Sequence, residues 1–134
     1  MIDHHSALIY TMVLVSAADA EMTQNEVDTI SEVVRYLPIF RDFDRARIPA
    51  VSEACIALIQ DESGLEKALA AICEGLPRKL RETAYAVACD VAASDGRISQ
   101  EVLRLLELLR HELEVDRLSA AAIERGARAR HTTL

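Results

Sequence analysis

Residues Ser16–Gln24 read SAADAEMTQ, and Ala92–Gln100 read AASDGRISQ. Sliding the chain by 76 positions places Val15 on Val91, Ala17 on Ala93, Asp19 on Asp95, Gln24 on Gln100 and Leu37 on Leu113. Similar pairs fill the gaps, Ala18 with Ser94, Met22 with Ile98, Thr23 with Ser99 and Ile30 with Leu106. Each copy closes one apolar helical run, turns, and opens another run at a hydroxyl residue. A helix–turn–helix unit used twice follows, with helices one and two facing five and six about an internal pseudo-two-fold.

Working outward, Asp3 can cap a first helix carrying Leu8, Ile9, Met12, Val13 and Val15 and ending near Ala18. Thr23 and Glu26 make the T-x-x-E of a capping box. The second helix then buries Val27, Ile30, Val33, Val34 and Leu37 and stops at Pro38. Ile39 to Arg47 is a connector whose Phe40 and Phe43 are expected to pack on the core. Pro49 suits the first turn of a third helix facing inward through Val51, Ala54, Cys55, Leu58 and Ile59. After a break at Asp61–Gly64, a fourth helix carries Leu65, Leu69, Ile72 and Leu76. Pro77 opens a fifth with Leu80, Ala84, Val87, Ala88 and Val91. Ser99 caps a sixth with Val102, Leu103, Leu106, Leu109 and Leu113. Asp116 caps a seventh through Leu118, Ala122 and Ile123, expected to fray after Gly126.

The fold class is therefore all-α: a single helical bundle of about seven helices in one domain, residues 1–134. Composition agrees, since alanine and leucine supply 37 of 134 residues and only 4 Gly and 3 Pro interrupt them. The net charge of −7 speaks against nucleic acid and anionic membrane as partners. Ser6 to Ala18, the longest uncharged run, is shorter than the ~20 apolar residues of a membrane span. Its acidic start does not suit a signal peptide, and three cysteines suit no disulfide framework, so a cytoplasmic protein is expected.

The turns hold the chemistry. Gly96 suits a left-handed turn residue, whereas Ala20 at the equivalent place would be strained there. Met22 and Ile98 stand where a hydrophobic staple precedes the next cap. Asp19 and Asp95 sit at helix C-termini, facing the negative end of the dipole. Either each accepts hydrogen bonds from its own turn, or these carboxylates with Glu21 and Glu26 meet a cation. An EF-hand is excluded, because counting from Asp19 puts Gln24 and Ile30 where glycine and glutamate are required. A cation would have to be held across helices by hard oxygen ligands, which suit Ca²⁺, Mg²⁺ or Mn²⁺.

The duplicated A-A-D-G/A-x-hydrophobic-S/T pattern, opening a helix in an all-helical chain of this length, resembles the tellurite-resistance TerB-like family. A related domain begins the DjlA-type membrane co-chaperones. The likeness covers most of the chain and is strongest over Leu14–Leu37 and Val87–Leu113. It implies an all-α fold with a pseudo-two-fold and a bacterial stress role in the cytoplasm or at the membrane. It also implies metal binding at acidic residues, with Asp19, Glu21 and Glu26 matching the first turn and Asp95 the second. Ala20 departs from the usual glycine, Arg97 stands where an acid is common, and Val102 replaces the second glutamate, all of which weaken the second turn as a metal site.

Other groups carry less. Cys55, Cys73 and Cys89 are widely spaced on apolar helix faces and read as buried small hydrophobes. His4, His5, His111 and His131 lack partners at metal-ligand spacing. No nucleophile grouping, phosphate loop or H-E-x-x-H occurs, so no catalytic residue is expected. Arg125, Arg128 and Arg130 suit a solvated helix end, or an acidic partner surface. The expectation is a non-enzymatic protein with no required cofactor. Its acidic junction takes a divalent cation weakly or docks a basic partner. The alternative is a protein-interaction module similar to the co-chaperone domain, without metal.

Overall fold

In the computed structural model, which describes residues 1–18, 22–96 and 98–134, the chain starts its first helix at Asp3. Asp3 Oδ1 accepts the Ser6 N–H at 2.8 Å, and helix α1 runs His4–Ala18. Every residue from His5 to Ser16 is buried. Such a helix is wrapped on all sides, and its polar groups must find partners inside the protein. Thr11 Oγ1 donates back to the Ala7 carbonyl at 2.8 Å, and His5 Nε2 lies 2.7 Å from the Ile39 carbonyl. The Ser16 hydroxyl has no partner among the described residues.

Helix α2 spans Gln24–Tyr36 behind the Thr23 cap, and Leu37 ends it ahead of the 3-10 turn Pro38–Phe40. Phe40 and Phe43 are both buried, edge to face with ring centroids 5.5 Å apart, and the His5 ring stacks on Phe40 at 5.4 Å. A second 3-10 turn, Arg45–Arg47, leads into α3, Ile48–Ile59, with Pro49 in its first turn. Helix α4 is Gly64–Gly75, and the 3-10 turn Arg78–Leu80 follows Pro77 and precedes α5, Arg81–Ala93. Helices α6, Gln100–Glu112, and α7, Arg117–Arg130, complete the chain behind the Ser99 and Asp116 caps. Among the described residues there are seven α-helices and no strand, and no helix is long and apolar enough to cross a membrane.

Helix α1 packs against α2, α3, α4, α5 and α6, so five helices surround it. Helix α5 is the second hub, touching α2, α6 and α7. Helices α2 and α6 have the same length and begin 76 positions apart, each behind a hydroxyl cap. What covers the first helix of each unit differs: α3 and α4 lie on α1, and α7 lies on α5.

Several face assignments are corrected. Val27 and Leu103, equivalent positions at the starts of α2 and α6, are 38% and 46% exposed rather than buried. Each helix lies on the surface and turns only a narrow stripe inward, Ile30 and Val34 in α2 and Val102, Leu105, Leu106 and Leu109 in α6. Ala54, Leu65, Leu118 and Ala122 also face outward. Helix α7 does not fray after Gly126. One glycine inside a helix costs only ~1 kcal/mol, and the far end is anchored on α5. There Arg130 Nη2 and His131 Nε2 lie 2.6 and 3.4 Å from the same oxygen of Asp90.

The Gly64 signal was stronger than a loop break. A Cβ there would lie 2.5 Å from the Leu58 carbonyl oxygen and 2.6 Å from Ile59 backbone atoms. Gly96 has φ +75° and open space around it, so only its backbone conformation requires glycine. Gly64→Ala is therefore expected to destabilise by about 1–3 kcal/mol through backbone displacement, and Gly96→Ala by about 1 kcal/mol, measured by urea denaturation. The Ser6 N–H, and secondarily Arg47, hold the Asp3 carboxyl below its ordinary range. A lowered folded-state value means stability present above the unfolded carboxylate range and lost as pH falls through the folded value. Asp3→Asn should flatten that part of the acid limb of a stability–pH profile.

Candidate acidic junction

Thr23 is where the two turns meet. It sits in extended backbone (φ −80°, ψ 162°), so its side chain faces the open N-terminus of α2. Thr23 Oγ1 accepts the Glu26 N–H at 3.2 Å, and Glu26 Oε1 accepts the Thr23 N–H at 2.9 Å, the reciprocal box expected from T-x-x-E. The same hydroxyl is 2.9 and 3.0 Å from the two oxygens of Asp95, in the turn after α5, and 3.3 Å from Glu26 Oε1. A hydroxyl has one proton to donate. The shorter distances give it to Asp95, and the Glu26 contact is then held mainly by the backbone amide.

Two carboxylates from opposite ends of the sequence thus converge on one oxygen. Glu26 is only 2% exposed, the one buried carboxylate among the described residues. Removing a carboxylate from water is costly unless hydrogen bonds or opposite charge offset it. Asp95 is exposed. Among the described residues it reaches across to the Thr23 cap of α2. Gly96 beside it adopts the left-handed conformation expected of it, and its N–H reaches the Ala93 carbonyl at 3.1 Å.

Of the four acidic candidates, Glu26 and Asp95 are brought together at Thr23, while Asp19 and Glu21 lie outside the described residues, as do Ala20 and Arg97. Among the described residues no three His, Cys, Asp or Glu side chains are grouped to hold a metal. Met22 and Ile98, expected as staple residues, are each nearly half exposed, like Val27 and Leu103 one turn further on. Burial pushes the Cys55 and Cys89 thiols up to about 12, so both stay protonated at neutral pH and pack as small apolar groups. His5 is a core residue against Phe40 and Phe43.

Sequence reasoning read Thr23 as a local cap and missed its second partner. The contact spans 72 positions and has no local signature.

The profile of the family described as tellurite resistance protein TerB matches residues 5–125, most of the chain. This protein belongs to that family. Comparison with curated proteins and with solved structures gives no match.

Thr23→Ala removes the cap and the Asp95 partner together and is expected to cost about 1–2 kcal/mol. Thr23→Ser should retain most of that stability. Urea denaturation of both variants checks the pair, and equal losses in the two would show that the hydroxyl is not the junction.

Proposed function

We propose that this TerB-family domain is a non-enzymatic stress-response module whose acidic junction takes a divalent cation weakly. The carrying observation is that Glu26 and Asp95 share the Thr23 hydroxyl, which concentrates negative charge at one place in the fold. Like charges held this close raise each other's energy, and a cation between them lowers it. Asp19 and Glu21 belong to the same junction by sequence and would add to the ligand set. Carboxylate and hydroxyl oxygens are hard donors, which favours Ca²⁺, Mn²⁺ or Mg²⁺ over softer metals. A basic group on a partner protein would answer the same charge. Cytoplasmic placement and the absence of any required cofactor are part of this reading.

A second reading, a protein-interaction module without metal, is favoured by one observation. Met22, Val27, Ile98 and Leu103 leave apolar surface beside the caps of both α2 and α6.

Calorimetric titration of the whole chain with Ca²⁺, Mn²⁺ and Mg²⁺ separates the two. The cation reading expects saturable heat with Kd on the order of 10⁻⁴–10⁻³ M, weakened about tenfold in Asp95→Asn. No heat at millimolar metal, or identical heat in Asp95→Asn, removes the cation and leaves the interaction module.

A further inference from the structure

Helices α6 and α7 both lean on α5, and between them lies a cleft of about 640 Å³. That falls within the ~300–1,000 Å³ of pockets that hold one small molecule. Its floor is Tyr85 and Cys89 of α5 with Ala127 of α7, all buried. Ile98, Leu103 and Leu106 form an apolar wall on the α6 side, and the first two are nearly half exposed. Burial raises the Cys89 thiol and the Tyr85 phenol well above their ordinary values, so both stay neutral at pH 7.

The charges around the rim are not equivalent. His131 lies beside Asp90, which also pairs with Arg130 just outside the lining. Glu124 accepts the Tyr85 hydroxyl at 2.5 Å and is committed to the floor. Arg110 of α6 and Arg128 of α7 also line the cleft, and among the described residues neither has a carboxylate within ion-pair distance. Among the described residues Glu107 is the remaining charged group of the lining, one turn before Arg110 on the same helix. An apolar trough with two unpaired guanidinium groups, one from each wall, matches a molecule with an apolar chain and a planar anionic head. We propose that this cleft binds a free amphipathic carboxylate, its acyl chain along Ile98, Leu103 and Leu106 and its head group between Arg110 and Arg128. A cationic head of the same length would be repelled between Arg110 and Arg128, with Glu107 and Glu124 the lining groups that oppose this, so head-group charge is the discriminating property.

The proposal is independent of the acidic junction, and its failure leaves that reading untouched. The test is an amide NMR titration of the whole chain with sodium decanoate below its micelle concentration, beside decanol and decylammonium. Expected are saturable shifts confined to α5, α6 and α7, with decanol weaker by about tenfold and decylammonium weaker still. Arg110→Gln/Arg128→Gln should bring decanoate down to the affinity of decanol. Ile98→Gln, at an exposed position that the fold tolerates, should weaken decanoate and decanol alike. No saturable shift with decanoate overturns the proposal, as do equal affinity for decylammonium, shifts outside these helices, or unchanged decanoate affinity in the double arginine variant.

Discussion

The structure is organised by the burial of α1. Twelve successive residues, His5 to Ser16, lie out of water, and a helix apolar on every side is stable only if other helices enclose it. Five do so, and the rest of the architecture is a consequence. Helices α3 and α4 close one flank, α5 and α6 another, and the connector after α2 returns Phe40 and Phe43 to cover the start of α1 at His5. His5 is kept in this apolar setting by the Ile39 carbonyl, a partner supplied by a segment 34 positions away.

Enclosing α1 has a consequence at its other end. The chain must leave α1, turn and start α2 close to the place where it leaves α5 and starts α6. The N-terminal cap of α2 and the turn after α5 are thereby brought side by side, and Thr23 of one bonds Asp95 of the other. An aspartate at a helix C-terminus is unfavourable when considered alone. It becomes intelligible once the hydroxyl of a neighbouring N-cap is in reach, because an N-terminus is the positive end of a helix dipole and stabilises negative charge near it. The acidic junction is therefore a property of two helix ends of opposite polarity meeting.

Local signals were legible wherever they depended on a few adjacent residues. The T-x-x-E box at Thr23, the caps at Ser99 and Asp116, the stop before Pro38 and the left-handed Gly96 all rest on hydrogen bonds or sterics spanning four residues or fewer. Helix faces were legible only in part. Val27, Leu65, Leu103 and Leu118 have the spacing of buried residues, yet the first three are only partly covered and Leu118 is mostly exposed. Periodicity reports which positions share a face and not how wide the covering partner is. Gly126 misled for a related reason, since the Asp90 clasp that holds the end of α7 comes from another helix.

From the amino acids alone came the all-helical class, most helix boundaries apart from the start of α5 and the end of α7, and the family resemblance of the duplicated acidic turn. The class and the boundaries follow from short-range stereochemistry, which every segment carries with it. Only the folded arrangement decided that Glu26 and Asp95 share one hydroxyl, that Gly64 is required by the backbone of α3, and that α6 and α7 stand apart over Tyr85 and Cys89 of α5. Each of those depends on distances between residues far apart in the chain. Such distances are set by how helices of particular width and length pack around α1, and no local pattern encodes them.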